Sequence, residues 1–253
     1  MPRYSEMVQS LYHEITELRR SPADYVPKLE RFQANYHGLV RHRADDVPIL
    51  TKEGPDLVQE AIAKVAATPP LRAAIWSDAL SCAAQAHVND LGPRGIIGHH
   101  GSNGDGLVKR LEAFGKWDGS LAELLDYGSL NAVEAVCSLL VDDGLPIREH
   151  REMLLSPDIR LAGIGFGPHD QQRTMGTIIL VTKFHPHEDY PRYLPSGDLI
   201  SINWEARNWL VGALRLSCDV TSESEGTLMR RRITKRWEMG DGSSQTTEEI
   251  IYS

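Results

Sequence analysis

Residues 98–106 read GHHGSNGDG, two adjacent histidines set among glycines at 98, 101, 104 and 106. Glycine reaches backbone angles that other residues avoid, so this run lets the chain turn tightly and hold a histidine at the mouth of a groove. Stricter templates fail on it. A P-loop requires GxxxxGK[ST], and Leu107 stands where its lysine belongs. The GxSxG nucleophile turn requires glycine two positions before its serine, where Ser102 has His100. Acidic residues do not recur at alternate positions as a calcium loop demands. Elsewhere, His13-Glu14 is followed by Glu17 in place of the second histidine of HExxH.

On the C-terminal side, LNAVEAVCSLLV at 130–141 is apolar on nearly all sides, which predicts a deeply buried helix. Strands are predicted over 119–127, 160–167 and 174–184, the last reading TMGTIILVTKF with its β-branched run. Asp105 is placed to cap a helix over 106–114 closed by Gly115. On the N-terminal side, Ser77 caps a helix over 78–91, with Leu80, Ala84, His87 or Val88, and Leu91 inward. Its small residues favour close packing. Tyr4, Met7, Leu11, Ile15 and Leu18 define an amphipathic helix over 3–20, Ser21-Pro22 starts a second toward Phe32, and 54–66 forms a third stopped by Thr68-Pro69-Pro70. Helices interleaved with antiparallel strands imply a layered α/β sandwich.

GHHGSNG resembles the GHxGSxG signature of the CAP superfamily, the cysteine-rich secretory, antigen 5 and pathogenesis-related 1 proteins, and Arg110 and Gly115 continue its spacing. AVCSLLVDDGLPIREHREMLLSPDIRLAGIGFG, residues 135–167, is similar to the segment in which that family has a buried helix, a His-Arg pair, a Leu-x-x-Pro turn and a glycine-rich strand. The similarity runs from about residue 8 to 184. It implies a three-layer α-β-α sandwich with a groove over the sheet and a tetrad of two histidines and two acidic residues. By position the tetrad becomes His99, Glu123, Asp142 and His150. LAELL puts Leu124 where the family's asparagine is usual, and Asp142 replaces a longer glutamate.

Two imidazoles and two carboxylates at one cleft can bind a divalent metal such as zinc through His99 and His150, perform acid-base chemistry, or form a structural hydrogen-bonded cluster. The shorter Asp142 retracts its carboxylate by roughly an ångström, and misplacement on that scale costs about a hundredfold in catalysis, which weighs against an enzyme. No cofactor is required by the sequence. His13, His37 and His42 read as surface groups, and Asp143 as a cap.

A chain of 253 residues with 41% hydrophobic and 25% charged content can bury a full core. Its formal net charge of −8 excludes a general nucleic-acid binder, which needs a basic face. MPRYSEMVQSLYHEITELRR lacks the apolar region of a secretory signal, and no stretch is apolar enough to span a membrane. Three scattered cysteines, Cys82, Cys137 and Cys218, suit a reducing compartment, so the expected location is cytoplasmic without disulfides. The organisation read here is a CAP-like domain over 1–186 and a linker with a β-rich extension over 187–253. HPHEDYPRYLPSG reads as an ordered linker, and Ile200, Ile202, Trp204, Trp209, Leu210 and Val211 make the next stretch too apolar for disorder. Residues 213–252 read as an antiparallel meander. Its middle strand carries Arg230, Arg232 and Arg236 in two-residue alternation, and its last strand ends in Ile250, Ile251 and Tyr252. These six residues are candidates for docking on an acidic protein surface in a larger assembly, a cytoskeletal or ciliary one included. Glu248 and Glu249 offer the competing account that neighbouring charges merely neutralise each other. The favoured function is a non-enzymatic intracellular interaction module. The alternatives are a metal-dependent hydrolase and a lipid or sterol carrier.

Overall fold

The computed structural model of the chain describes residues 4–43, 46–191, 213–225, 228–239 and 244–252. Helices α1 (Tyr4–Arg20) and α2 (Pro22–Gln33) bury Met7, Leu11, Ile15, Leu18, Tyr25 and Leu29, the residues whose spacing gives each helix one apolar face. A ribbon of three short strands follows, β1 (Tyr36–His37), β2 (Val40–Arg43) and β3 (Asp46–Leu50), which the sequence reading did not anticipate. Next come α3 (Pro55–Ala67), β4 (Ile75–Trp76), α4 (Asp78–Leu91), α5 (Leu107–Leu111) and β5 (Gly115–Tyr127). The domain is completed by α6 (Ala132–Val141), α7 (Glu149–Leu154), β6 (Leu161–His169) and β7 (Arg173–Pro186). Ser77 caps α4 and Asn131 caps α6, each side chain accepting from the backbone N–H three residues on.

The main sheet runs β4-β6-β7-β5, with β4 parallel to β6 and the other pairs antiparallel. Alternation along β7 builds three layers from this single sheet. Ile178 and Leu180, with Leu124, Ala162 and Ile164, join the core under α1, α2, α3 and α6, while Ile179 and Val181 join Leu80, Cys82, Ala84 and Leu111 on the α4 side. Cys137 belongs to the first cluster and Cys82 to the second, so the sheet separates these two buried cysteines.

The sequence LAGIGFG brings α4 unusually close. A Cβ at Gly163 would strike the Leu80 and Ser81 backbone, and one at Gly165 would strike Ala84 and Gln85. β6 pairs with β4 only at Leu161 and Ala162, so its next N–H groups lack strand partners on that side. The close helix supplies them: Ile164 N–H donates to Ser81 Oγ at 3.2 Å and Phe166 N–H to Gln85 Oε1 at 3.0 Å.

The helix expected over 106–114 is a correction. It spans only Leu107–Leu111, and its N-cap is Gly106, because Asp105 turns its carboxylate to the Asn103 side-chain amide instead. Phe114 is buried against the sheet and Gly115 already begins β5, whose first pairing is with Pro186. Gly115 approaches the His185 carbonyl too closely for any Cβ, so it opens a strand where a helix stop was expected.

The chain divides into two compact units, Met1–Ile202 and Asn203–Ser253. In the second, β8 (Ala213–Glu225), β9 (Leu228–Met239) and β10 (Ser244–Tyr252) form the expected antiparallel meander in the order β10-β9-β8. The register sets Arg230 opposite Tyr252, Arg232 opposite Ile250 and Arg236 opposite Thr246, while Glu248 and Glu249 lie opposite Thr234 and Ile233. The linker reading beyond 191 and the apolar stretch to Val211 lie outside the described residues. Among the described residues, no helix is long and apolar enough to cross a membrane.

Candidate functional site

The glycine-rich loop is held by its own polar residues. Gly98 and Gly104 take positive φ angles of 124° and 87°, open to glycine at little cost. Ser102 donates through its N–H and its hydroxyl to Asp90, and the Gly101 N–H donates to the Asp105 carbonyl. From β5, the Tyr127 hydroxyl accepts the Gly98 N–H at 3.0 Å. The loop therefore ends pinned to α4 and β5, with His99 turned toward Glu123.

His99 Nδ1 lies 3.0 Å from Glu123 Oε1. The imidazole is 52% exposed, whereas the carboxylate beneath it is 1% exposed. Arg110 of α5 donates to Glu123 Oε2 and to the His99 carbonyl, so one guanidinium fixes both partners. Burial by itself would raise the Glu123 pKa, but the His99 hydrogen bond and the charges of Arg110 and His87 outweigh it and hold the carboxyl below its usual range. Below this pair sits His87, buried, with Nε2 on the Gly98 carbonyl at 3.0 Å and Nδ1 without a partner. Burial depresses its pKa against the pull of Glu123.

The second pair is built at the end of α6. Asp142 is the helix C-cap in the left-handed region at φ 60°, a conformation that aspartate tolerates better than most residues. One carboxylate oxygen accepts the His150 backbone N–H at 2.9 Å, and the other lies 2.7 Å from His150 Nδ1. Arg151, next in sequence, is buried and donates to the Leu140 and Val141 carbonyls and to Glu60. Asp143, expected as a cap, caps no helix: α6 ends on Asp142 and α3 starts at Gly54, and Asp143 instead accepts the Lys52 and Glu53 N–H groups of the loop before α3.

The four expected residues thus form two carboxylate-imidazole pairs, His99 with Glu123 and His150 with Asp142. Cross-strand register places Glu123 beside Ile179 and Gly163 on the α4 face, while the second pair belongs to the α6–α7 connection. In each pair Nδ1 is taken by a carboxylate, which leaves Nε2 as the outward lone pair. Among the described residues no three of His, Cys, Asp or Glu gather to hold a metal ion, so the donor set does not make up a zinc cage. His13, His37 and His42 are exposed, the last two stacked edge to face at 4.9 Å.

Residues 56–184 match the CAP family, the cysteine-rich secretory protein family. The chain belongs to the CAP family. No curated protein sequence matches it. Among solved structures, an extracellular protein containing an SCP domain from Bacillus anthracis is 17% identical with a TM-score of 0.36. The alignment covers 51% of this chain and 38% of that one. An outer surface protein from Borrelia burgdorferi is 18% identical with a TM-score of 0.37, covering 45% of this chain and 80% of its own.

Two charged residues near the paired groups escaped the sequence reading. Arg110 was recognised only as spacing, although a cation one helical turn past a glycine loop is a natural clamp for a buried carboxylate. Asp126 is fully buried on β5, accepts from the Ser129 hydroxyl at 2.6 Å, and leaves Oδ2 unpartnered. Burial, with Glu134's charge adding, pushes its pKa up to about 6. Nothing in the local pattern LLDYG announces such an acid.

Proposed function

We propose that this CAP protein is a non-enzymatic interaction module. The observation that supports it is the occupancy of the two carboxylates: Glu123 is taken by His99 and Arg110, and Asp142 by the N–H and Nδ1 of His150. Each of their oxygens already accepts a protein hydrogen bond, which engages both acids in structure, and any base role would fall to the outward Nε2 of the imidazoles. In this reading the pairs tie the glycine loop to β5 and α6 to α7, and they shape the groove rather than act in it. Docking on an acidic protein surface is assigned to the C-terminal meander, where β10 is a sheet edge and Arg230, Arg232 and Arg236 occupy alternate positions of β9. A cytoplasmic setting, with a cytoskeletal or ciliary assembly as the acidic partner, fits two buried cysteines held on opposite faces of the sheet. Affinity capture from the source cell with the full chain tests this. Arg230→Glu with Arg232→Glu and Arg236→Glu is expected to lose the native partners, and His99→Ala with His150→Ala to keep them. The opposite pattern, or turnover that disappears in the histidine variant, would remove the proposal.

A further inference from the structure

A cavity of about 540 Å³ lies between α1, α2, β2 and the start of α6, and none of the four paired residues lines it. Its charged wall consists of Lys28 and Arg31 from α2, Arg41 and Arg43 from β2, and the carboxylates of Glu14 and Glu134. Four cations line it with two carboxylates, and Arg43 is further paired with Asp46 at 3.0 Å, which leaves a modest local positive excess in a chain whose net charge is −8.

Both carboxylates are already committed. Glu14 accepts the Tyr25 hydroxyl at 2.9 Å and Lys28 at 2.6 Å, and Glu134 accepts Arg41 at 2.7 Å and the Leu130 N–H at 2.8 Å. The cations are not exhausted in turn. Arg31 uses only Nε, on the Pro27 carbonyl, and keeps its terminal nitrogens without a protein acceptor among the described residues. Arg41 is 6% exposed and stacks over the Phe32 ring at 4.5 Å. Its Nη1 goes to Glu134, while Nε and Nη2 find no acceptor among the described residues. These donors are open to an anion from outside.

We propose that this cavity binds a small organic phosphate monoester. Donors reach it from separate elements, from Arg31 on α2 and from Arg41 on β2, and Asn131 and Val133 at the start of α6 border the space. Guanidinium donors arriving from two different elements suit a tetrahedral dianion better than a planar carboxylate. Phe32, Leu130 and Val133 provide an apolar wall, and the volume exceeds what phosphate alone fills, so the ligand carries an organic body.

Phenyl phosphate, titrated calorimetrically into the full chain, tests the proposal. Saturable binding is expected, weakening as salt is raised, stronger than for inorganic phosphate, and absent for phenol. Arg31 is exposed, so Arg31→Gln keeps the fold and is expected to weaken binding about tenfold, the loss of one charge-assisted contact. Arg41→Gln is expected to weaken it further, with its melting temperature recorded beside the titration. No saturable binding to wild type overturns the proposal. So does unchanged affinity in Arg31→Gln, or succinate binding as tightly as phenyl phosphate.

Discussion

Replacing Gly165 with alanine would put a Cβ 2.5 Å from the Gln85 nitrogen and 2.6 Å from the Ala84 carbonyl carbon. Ordinary contact between such atoms begins near about 3.5 Å, so α4 or β6 would have to retreat by about 1 Å. Both obstructing atoms are backbone, and no rotamer change relieves them. Overpacking of this kind costs about 1–3 kcal/mol. The retreat also stretches the bond from Phe166 N–H to Gln85 Oε1, now 3.0 Å, and an orphaned buried N–H costs about 1–3 kcal/mol more. The expected loss is about 3–5 kcal/mol, a large share of the roughly 5–15 kcal/mol that holds a domain together. Gly176→Ala on the neighbouring strand is the control. Its Cβ would meet the Phe166 ring at 3.3 Å and Asp126 Cβ at 3.6 Å, contacts a small shift relieves, so the loss should stay under about 1 kcal/mol. Equilibrium urea unfolding of the wild type and both variants gives the comparison. A Gly165→Ala chain within about 1 kcal/mol of wild type would refute the claim that glycines set the distance between α4 and β6.

Arg19 is fully buried and donates to the carbonyls of Arg72, Leu154, Ser156 and Ile159, so Arg19→Met should cost about 3–5 kcal/mol in chemical unfolding by orphaning them. Asp126, pushed up to about 6 by burial, holds its proton more tightly folded than unfolded, where about 3.9 is usual. Its contribution therefore favours folding as pH falls through 6 toward 4 and opposes it above 6, so Asp126→Asn should gain on the order of 3 kcal/mol at pH 8 and little at pH 4. Equal effects at both pH values in thermal melts would contradict this. The lowered pKa of Glu123 has the opposite sign: its stabilisation is present above the ordinary carboxylate value and is lost as pH falls through the folded one. Arg110→Met removes a neighbouring charge that lowers it, so the acid limb of melting temperature against pH should move upward, and an unmoved limb would count against the clamp.

The three layers could be read in advance because their signals are local. β7 alternates its apolar residues between two cores, and α6 is apolar on all sides because it packs between helices and sheet. The ribbon β1–β3 could not. Its YHGLVRHR is polar and charged, and what makes it structure is Arg41 reaching Glu134 across ninety-three residues, a pairing no window of sequence displays. Helix α7 is similarly obscure, since EHREML is held by Arg151 binding carbonyls of α6. For the site, the motif positions located all four paired residues, but their arrangement as two dyads depends on the register of β5 and on the left-handed turn at Asp142.

That turn also gives a physical reason for the aspartate that stands where the family resemblance expects glutamate. In the left-handed C-cap conformation the side chain leaves α6 beside the backbone of the next helix, and a single methylene suffices to bring one oxygen to the His150 N–H and the other to Nδ1. A glutamate would place its carboxylate about 1.5 Å farther along and could not serve both atoms without moving the turn. The loop between them is stapled a second time by Arg148, which binds the Asp142 and Leu145 carbonyls and Glu53. The short acid thus ties α6 to α7 through both of its oxygens, which agrees with the structural role proposed for this pair.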